Sequence, residues 1–498
     1  MTEFWPHLLP VLAFALALGT SLHAVLHKRD VRAALGWVGL IWLVPLIGVT
    51  LYTLLGVNRI ERKARILRAR QDPKVEASAP RSRGDLDVRA EPLPALSLDS
   101  TLLPALDDEE AERALGHLGA LERMCRRITA RPLLSGNLIR ALSGGDAAYD
   151  EMLSAIDAAR TSIALVTYIF DYDAAGERFV AALGRAAARG VQVRVLVDAV
   201  GARYSRSRVD RHLRKAGVPV ALFLPAFAPG LTPFFNLRNH RKALVVDGTL
   251  GFAGGMNIRA GNLSASSPRR AVRDVHFLLQ GPIVHQLQEA FVQDWLFTTR
   301  EVLEGAVWFP RSSAAGSTFA RVIKDGPDED FEKMRWAFLA GLACAARSIQ
   351  IMTPYFLPDA SLISALNVAA LRGVDVRIVV PERSNIPLAD WAMWGQLRQM
   401  TEYGCQFFFS PPPFEHTKLM IVDERWVVIG SANWDARSLR LNFELGVEIY
   451  DLALAAEMTR YIRERCELGV ALAPERIRDR RLLLRVRDGL ARLLLPYL

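Results

Sequence analysis

Apolar and polar positions divide the chain into five stretches. No charged residue occurs from Phe4 to Leu26, nor from Ala33 to Val57. A helix across a bilayer core takes about 20 residues, so residues 1–58 are predicted to form a transmembrane hairpin of two helices. A buried helical pair in a soluble protein has the same pattern. A signal peptide fits less well, because Glu3 stands where a basic start is expected and a second apolar run follows. Pro45 and Gly48 are placed to kink the second helix. Residues 59–103 begin with a basic cluster (Arg59, Arg62, Lys63, Arg65, Arg68 and Arg70) and continue as a Pro-, Ser-, Arg- and Asp-rich linker without periodicity.

Beyond the linker the pattern repeats. The run from Ala159 to Phe170 parallels that from Ala346 to Phe356, and Ala188-Arg189-Gly190-Val191 parallels Leu371-Arg372-Gly373-Val374. Each copy has an apolar strand, an amphipathic helix, a Gly-Val turn and a second strand, which is a βαβ unit. The expected fold is therefore α/β, with two pseudo-symmetric halves at 104–305 and 318–472. Each is a mixed β-sheet flanked by helices, and the site is expected where the halves meet. The Ser- and Pro-containing block 299–317 is the joint. The tail, 474–498, alternates arginines with leucines and is predicted to be a basic amphipathic helix, either lying in a membrane interface or packed on the domain.

Composition narrows the possible partners. At 498 residues and 51% hydrophobic, the chain has room for two domains beside a membrane segment. Its net charge of +9 suits an anionic partner, nucleic acid or an acidic membrane. The cluster at 59–70 would bind anionic headgroups or serve only as a charged anchor. By the positive-inside tendency it faces the cytoplasm, and two spans return the chain to its starting side. The four cysteines, Cys125, Cys344, Cys405 and Cys466, show neither disulfide-framework nor zinc spacing.

The chemistry is concentrated in a doubled motif. Asn239-His240-Arg241-Lys242 leads through an apolar run to Asp247, and Glu415-His416-Thr417-Lys418 leads to Asp423 at the same interval. Each is followed in register by a small pair and an asparagine: Gly254-Gly255-Met256-Asn257 and Gly430-Ser431-Ala432-Asn433. Along a strand, alternate side chains share a face. His240 and Lys242 therefore point together, as do His416 and Lys418, while Asp247 falls at the turn on the other face, as a hairpin brace. Two half-sites give two imidazoles and two ammonium groups. The lysines, with Asn257 and Asn433, suit phosphate oxygens. One histidine would attack phosphorus and the other protonate the departing alkoxide. No cluster has metal-ligand spacing, so no cofactor is expected. Two aromatic loops, Phe223 to Phe235 and Phe407 to Phe414, lead into the motifs as strand core or as a wall for acyl chains.

The doubled His-Lys-Asp motif with its Gly and Asn tail resembles the phospholipase D superfamily. That resemblance implies metal-free transfer through a phosphohistidine, with His240, Lys242, Asp247, His416, Lys418 and Asp423 as the catalytic set. It also implies acidic residues on later strands, Asp274 and Glu444, that orient the histidines, and a mostly structural role for each motif Asp. Further phrases resemble bacterial cardiolipin synthases: Pro45-Leu46-Ile47-Gly48, Thr167-Tyr168-Ile169-Phe170, Lys324-Asp325-Gly326-Pro327-Asp328, Thr353-Pro354-Tyr355-Phe356 and Arg492-Leu493-Leu494-Leu495-Pro496. This implies joining of two phosphatidylglycerol molecules into cardiolipin with release of glycerol. It also implies a multi-pass protein of the bacterial inner membrane, with a cytoplasmic catalytic part, an anionic membrane surface as partner and no nucleic acid. A hydrolytic phospholipase D, a membrane-anchored phosphodiesterase or nuclease, and phosphatidylethanolamine as one lipid partner stay open.

Overall fold

The first apolar run coils as a 23-residue helix, α1 (Trp5–His27), which satisfies its backbone polar groups internally. The computed structural model describes residues 5–28, 31–53, 108–204, 207–225, 237–265, 271–328 and 330–493. They fall into two units, Met1–Ala69 and Arg70–Leu498. Among the described residues, α1 is the helix long and apolar enough to cross a membrane, with a mean hydropathy of 1.5 over Pro10–His27.

The second run is not one helix. It divides into α2 (Val31–Leu43) and α3 (Pro45–Leu51). Val44, at φ −139° and ψ 77°, takes the extended backbone imposed on a residue before proline, and Pro45 opens α3, where its missing N–H costs nothing. A Cβ at Gly48 would lie 2.5 Å from the Leu40 carbonyl oxygen, so this corner requires glycine. Ala17, Ala24, Ile41 and Tyr52 are buried among the three helices, and Tyr52 Oη lies 2.8 Å from His23 Nδ1. Residues 54–107, including the basic cluster and the linker, lie outside the described residues.

In the second unit, the first half contributes β1 (Leu134–Ser143), β2 (Ser162–Thr167), β3 (Gln192–Asp198), β4 (Val220–Phe223), β5 (Ala243–Val246), β6 (Leu250–Gly254) and β7 (Val275–Gln280). The second half repeats them as β8 (Thr318–Asp325), β9 (Ser348–Met352), β10 (Asp375–Pro381), β11 (Gln406–Ser410), β12 (Leu419–Val422), β13 (Trp426–Gly430) and β14 (Asn442–Tyr450). Outward from the centre the first half runs β1-β7-β6-β5-β2-β3-β4, and the second runs β8-β14-β13-β12-β9-β10-β11. Each strand thus has its counterpart seven strands on.

The expectation of two separate sheets is corrected. β1 pairs antiparallel with β8, making one 16-stranded sheet. The Asn137 side chain fastens this seam, donating to the Leu134 and Thr318 carbonyls and accepting from Ile283 N–H.

Helices cover both faces. α4 (Gly145–Ala158) and α5 (Ala174–Ala188) pack on the first half, while α6 (Ile283–Thr299) lies on the opposite face. α7 (Lys333–Cys344), α8 (Ala360–Leu371), α9 (Pro387–Thr401) and α10 (Leu452–Leu468) repeat the arrangement. The crossover helices α5 and α8 are capped alike, with Asp173 and Asp359 each accepting two N–H groups of the first turn.

The tail is two helices, not one. Pro474–Arg478 is followed by α11 (Leu482–Leu493), which packs against α9. The break lets Arg480 turn inward over the Trp394 ring at 4.2 Å and pair with Asp488 at 2.5 Å. α11 faces the protein with Asp488 and Ala491, and leaves Leu482, Leu483, Val486, Leu490 and Leu493 exposed.

The buried charges of the seam have specific partners. Arg321 of β8 is fully buried, 2.5 Å from Glu448 and 3.3 Å from Glu122. Trp426 Nε1 donates to the other Glu448 oxygen. Removing one partner strands buried charge. Arg321→Met should therefore cost about 3–5 kcal/mol, with part recovered by adding Glu448→Gln. Thermal unfolding of the full chain in detergent measures this, and an unchanged midpoint in Arg321→Met would show the network to be dispensable.

Candidate active site

Two short crossings bring the motifs together. Arg238–Asn239 pairs in parallel with Asn442–Phe443, and Phe414–Glu415 pairs in parallel with Val272–Arg273. His240 N–H donates to the Phe443 carbonyl at 2.9 Å and His416 N–H to the Arg273 carbonyl at 2.8 Å. Each motif histidine is therefore seated on the carboxylate-bearing strand of the other half. His240 Nδ1 lies 3.0 Å from Glu444, and His416 Nδ1 lies 2.7 Å from Asp274. The sequence placed both carboxylates near the histidines without saying which served which; the structure exchanges them.

His240 and His416 line one cavity of about 760 Å³, with Asn257, Asn433, Tyr168 and Arg259 among its other walls. Lys242 and Lys418 lie behind the histidines, each Nζ donating to the carbonyl of its own motif histidine at 2.6 Å. Lys418 Nζ is also 3.1 Å from both ring nitrogens of His416. Arg241 points the other way, as strand alternation requires. It is buried against Asp294 at 2.8 Å and donates to the Glu444 and Asp325 carbonyls.

The small pairs after each motif differ in effect. A Cβ at Gly430 would lie 2.2 Å from the Leu445 carbonyl oxygen, so this strand crossing needs glycine. Ser431 donates to Glu444 at 2.5 Å, and Asn442 donates to its other oxygen at 3.1 Å. Gly255, the counterpart of Ser431, has no side chain to offer Asp274, and a Cβ there would crowd the carboxylate at 2.9 Å. The asparagines differ too. Asn257 accepts from Ile169 N–H at 3.0 Å, whereas Asn433 donates to Ser438 Oγ at 3.2 Å.

Asp247 and Asp423 lie outside this constellation, which corrects their place in the catalytic set. Asp247 accepts from the N–H groups of Arg160, Thr161 and Ser162, and Asp423 from those of Ala346, Arg347 and Ser348 and from His117. Both brace the entry of a core strand, as the face argument had it. Of the aromatic loops, residues 226–235 lie outside the described residues. Phe223, Phe407 and Phe409 are sheet core, and Phe414 alone of the described loop residues lines the cavity, 6.1 Å from His416. Sequence reasoning missed Tyr168, which stands edge-on to His240 at 4.9 Å and beneath Lys242 Nζ at 5.4 Å. It also missed the cavity cations Arg238, Arg259 and Arg437. The hint for Tyr168 was the repeated Thr-Tyr and Thr-Pro-Tyr phrase. For the arginines, scattered singly, there was none.

Burial sets the electrostatics. It pushes the His240 imidazole down to about 4, against the opposing pull of Glu444. His416 is held well below the ordinary value by burial and by Lys418 beside it. Burial also lowers Lys242 to about 7 and Lys418 to about 8, and raises Asp274 to about 6. For Glu444, the charge and hydrogen bond of His240 with Lys242 and Ser431 outweigh burial and hold it below the usual range. At neutral pH both imidazoles are thus neutral, each tethered at Nδ1, with weakly held ammonium protons alongside. Such a pocket attracts an anion that can complete the charge of the lysines.

The chain is similar to known proteins over most of its length. A family model described as "Cardiolipin synthase, PLD-like domain" matches residues 152–295 and 338–466, just over half the chain. The major cardiolipin synthase of Bacillus subtilis is 30% identical over 480 residues, covering 95% of each chain. A cardiolipin synthase of Listeria monocytogenes is 28% identical over 496 residues, covering 99% of each. Among solved structures, phosphatidylserine synthase of Haemophilus influenzae superposes with a TM-score of 0.56 at 15% identity, covering 76% of this chain and all of that one. This last likeness concerns the fold alone.

The pH dependence of kcat/KM on a phosphodiester substrate follows from these shifts. The histidine that protonates the leaving oxygen must itself carry a proton, so the alkaline limb should begin below 6.5, where His416 loses it, and steepen through about 7 and about 8 as the lysines lose charge. A nucleophilic imidazole is lost only when protonated, and its depressed value moves the acid limb well below 6.5. A pH profile measured on vesicles checks this, and an alkaline limb near the ordinary lysine value would remove the lysines from the account.

Proposed function

The chain belongs to the cardiolipin synthases of the phospholipase D superfamily, and we propose that it forms its product through a phosphohistidine on His240. It is a phosphatidyltransferase acting on phospholipid; phosphatidylglycerol as both donor and acceptor is our reading. The observation that carries the mechanism is the pair of imidazoles on one cavity, each tied at Nδ1 by a carboxylate from the opposite half. The tether leaves Nε2 of His240 with a free lone pair. That nitrogen bonds to phosphorus as the P–O bond to glycerol breaks, and His416, which takes up a proton as the phosphodiester anion enters beside it, gives that proton to the departing oxygen. The primary hydroxyl of the second lipid then attacks phosphorus, its proton passes to His416, and the N–P bond breaks. Exchange of one phosphodiester for another is nearly balanced, so no nucleotide is consumed.

Two features support His240 as the nucleophile. Glu444 carries three side-chain donors, His240, Ser431 and Asn442, which keep it ionised and the shared proton on His240 Nδ1. His416, with Lys418 at 3.1 Å, is a strong acid once protonated, which suits delivery to an alkoxide. Lys242, Lys418, Asn257 and Asn433 are assigned to the phosphate oxygens, and Asp274 and Glu444 to orienting the histidines.

The membrane setting belongs to the same proposal. α1 spans the bilayer and α2–α3 return, placing the catalytic unit on the cytoplasmic side of the inner membrane. The exposed leucine stripe of α11, edged by exposed Arg481, Arg485 and Arg492, suits an anionic lipid surface.

Three measurements test this. His240→Ala and His416→Ala should each lower cardiolipin formation by about a thousandfold or more while leaving membrane insertion intact; near-normal activity in either sinks the two-histidine mechanism. Acid-quenched enzyme should carry phosphate on His240, and recovery on His416 would reverse the assignment. Leu483→Glu with Leu490→Glu, each worth roughly 2 kcal/mol of apolar burial, should depress turnover on vesicles well below that in detergent micelles. Equal turnover in both would place α11 away from the bilayer.

A further inference from the structure

The two halves repeat each other closely around the cavity, but one wall breaks the repeat. Two residues past Asn257 stands Arg259, and two residues past Asn433 stands Asp435. The segments are equivalent in pairing as well. Phe170 bridges Ile258 in parallel, which sets Asp171 beside Arg259, while Phe356 pairs with Trp434 and Leu357 with Asp435. All four of Asp171, Arg259, Leu357 and Asp435 line the cavity. One wall therefore presents Asp171 with Arg259, and its counterpart presents Leu357 with Asp435. The guanidinium thus has no equivalent at its own position, although Arg437 further along the second wall also lines the cavity.

The guanidinium is held but not satisfied. Its nearest carboxylate, Asp171, lies 3.7 Å away, beyond hydrogen-bonding range. Arg259 Nε and Asp171 Oδ1 are both buried without hydrogen-bond partners. The Arg259 backbone, by contrast, is fixed, with N–H and carbonyl both 3.2 Å from the Tyr149 hydroxyl. A guanidinium carried on a fixed backbone, with its Nε donor open, matches two oxygens of a phosphodiester. Arg259 leads into the turn Ala260–Asn262, which packs against Val272–Arg273, the segment paired with Phe414–Glu415 immediately before His416. On the opposite wall Asp435 is buried and accepts from Ser438 N–H at 2.7 Å, which keeps a carboxylate where a second anion would be repelled.

Resting on the cardiolipin-forming reading above, we propose that Arg259 binds the phosphate of the acceptor lipid, making this cavity a site for two phosphates. The reacting phosphate lies between His240 and His416, with the charge of Lys242 and Lys418 behind them. The acceptor carries its own phosphodiester, separated from the attacking hydroxyl by the three carbons of glycerol, and Arg259 on the His416 side receives it. That placement brings the hydroxyl to His416, the base of the second step. It also gives a phosphate-bearing hydroxyl an advantage over water and over plain alcohols, which lack the anion.

The test is competition between acceptors in the full-length protein. Vesicles of phosphatidylglycerol are supplied with ethanol, and cardiolipin is measured against phosphatidylethanol. Arg259→Gln should lower that product ratio at least about tenfold, the worth of a charge-assisted bond. The loss should appear as a raised phosphatidylglycerol requirement at saturating turnover little altered, and Arg259→Lys should recover part of it. A ratio within about twofold of the parent, or a parallel fall of both products, overturns the subsite, as does the same drop in Arg437→Gln but not in Arg259→Gln. A parent protein that forms phosphatidylethanol but no cardiolipin removes the reading beneath it as well.

Discussion

Neither half of this protein owns a complete half-site. The bond on which the rest depends is the exchanged pairing of imidazole and carboxylate, His240 with Glu444 and His416 with Asp274. A carboxylate fixed on a central strand sets the tautomer and tilt of a ring on the opposite half only if the halves cannot slide. The continuous sheet supplies that rigidity: β1 and β8 meet at the seam, β7 and β14 flank them, and those flanking strands lead from Asp274 and Glu444. Arg241 adds a second lock, reaching from the first motif to the carbonyls of Glu444 and Asp325.

Placing two lysines behind two histidines in a buried pocket is costly unless charge is supplied. The two carboxylates supply part of it, and burial still holds both lysines below their ordinary value. In the function we propose, an entering phosphodiester supplies the rest. Affinity for phosphate and readiness of the imidazoles to act thus come from one electrostatic deficit.

Much of this was legible in the chain, and the reasons for success and failure are physical. The repeat and the register of the motifs follow from strand and helix periods, which are local, so His240, Lys242, His416 and Lys418 converge as expected. Asp247 and Asp423 could be set apart as braces because alternation along a strand is local too, even though the motif groups them with the catalytic residues. The exchange of carboxylates could not be read, since Asp274 and Glu444 stand at similar offsets from their own histidines and only tertiary packing decides between the pairings. The apolar run from Ala33 was legible as membrane-like but not as one helix, because Val44 before Pro45 overrides hydropathy. The tail showed its amphipathic character but not its orientation; the inward pull on Arg480 by Trp394 and Asp488 is long-range.

Near-symmetry raises the question of how a two-step transfer acquires direction. Two departures from the repeat bear on it, and they agree. Ser431 in place of Gly255 gives Glu444 an extra donor, which favours His240 as the group that keeps a free lone pair. Arg259 in place of Asp435 puts a cation beside the segment paired with Phe414–Glu415, which in our proposal makes His416 the histidine that meets the second substrate. The first difference acts on the nucleophile and the second on the acceptor. They lie on opposite halves, so each histidine is distinguished by a residue its own motif does not contain. A duplicated pair of half-sites could bind a phosphodiester equally well in either sense. On our proposal, these single-residue differences are what give the transfer one sense, with the donor at His240 and the acceptor beside His416.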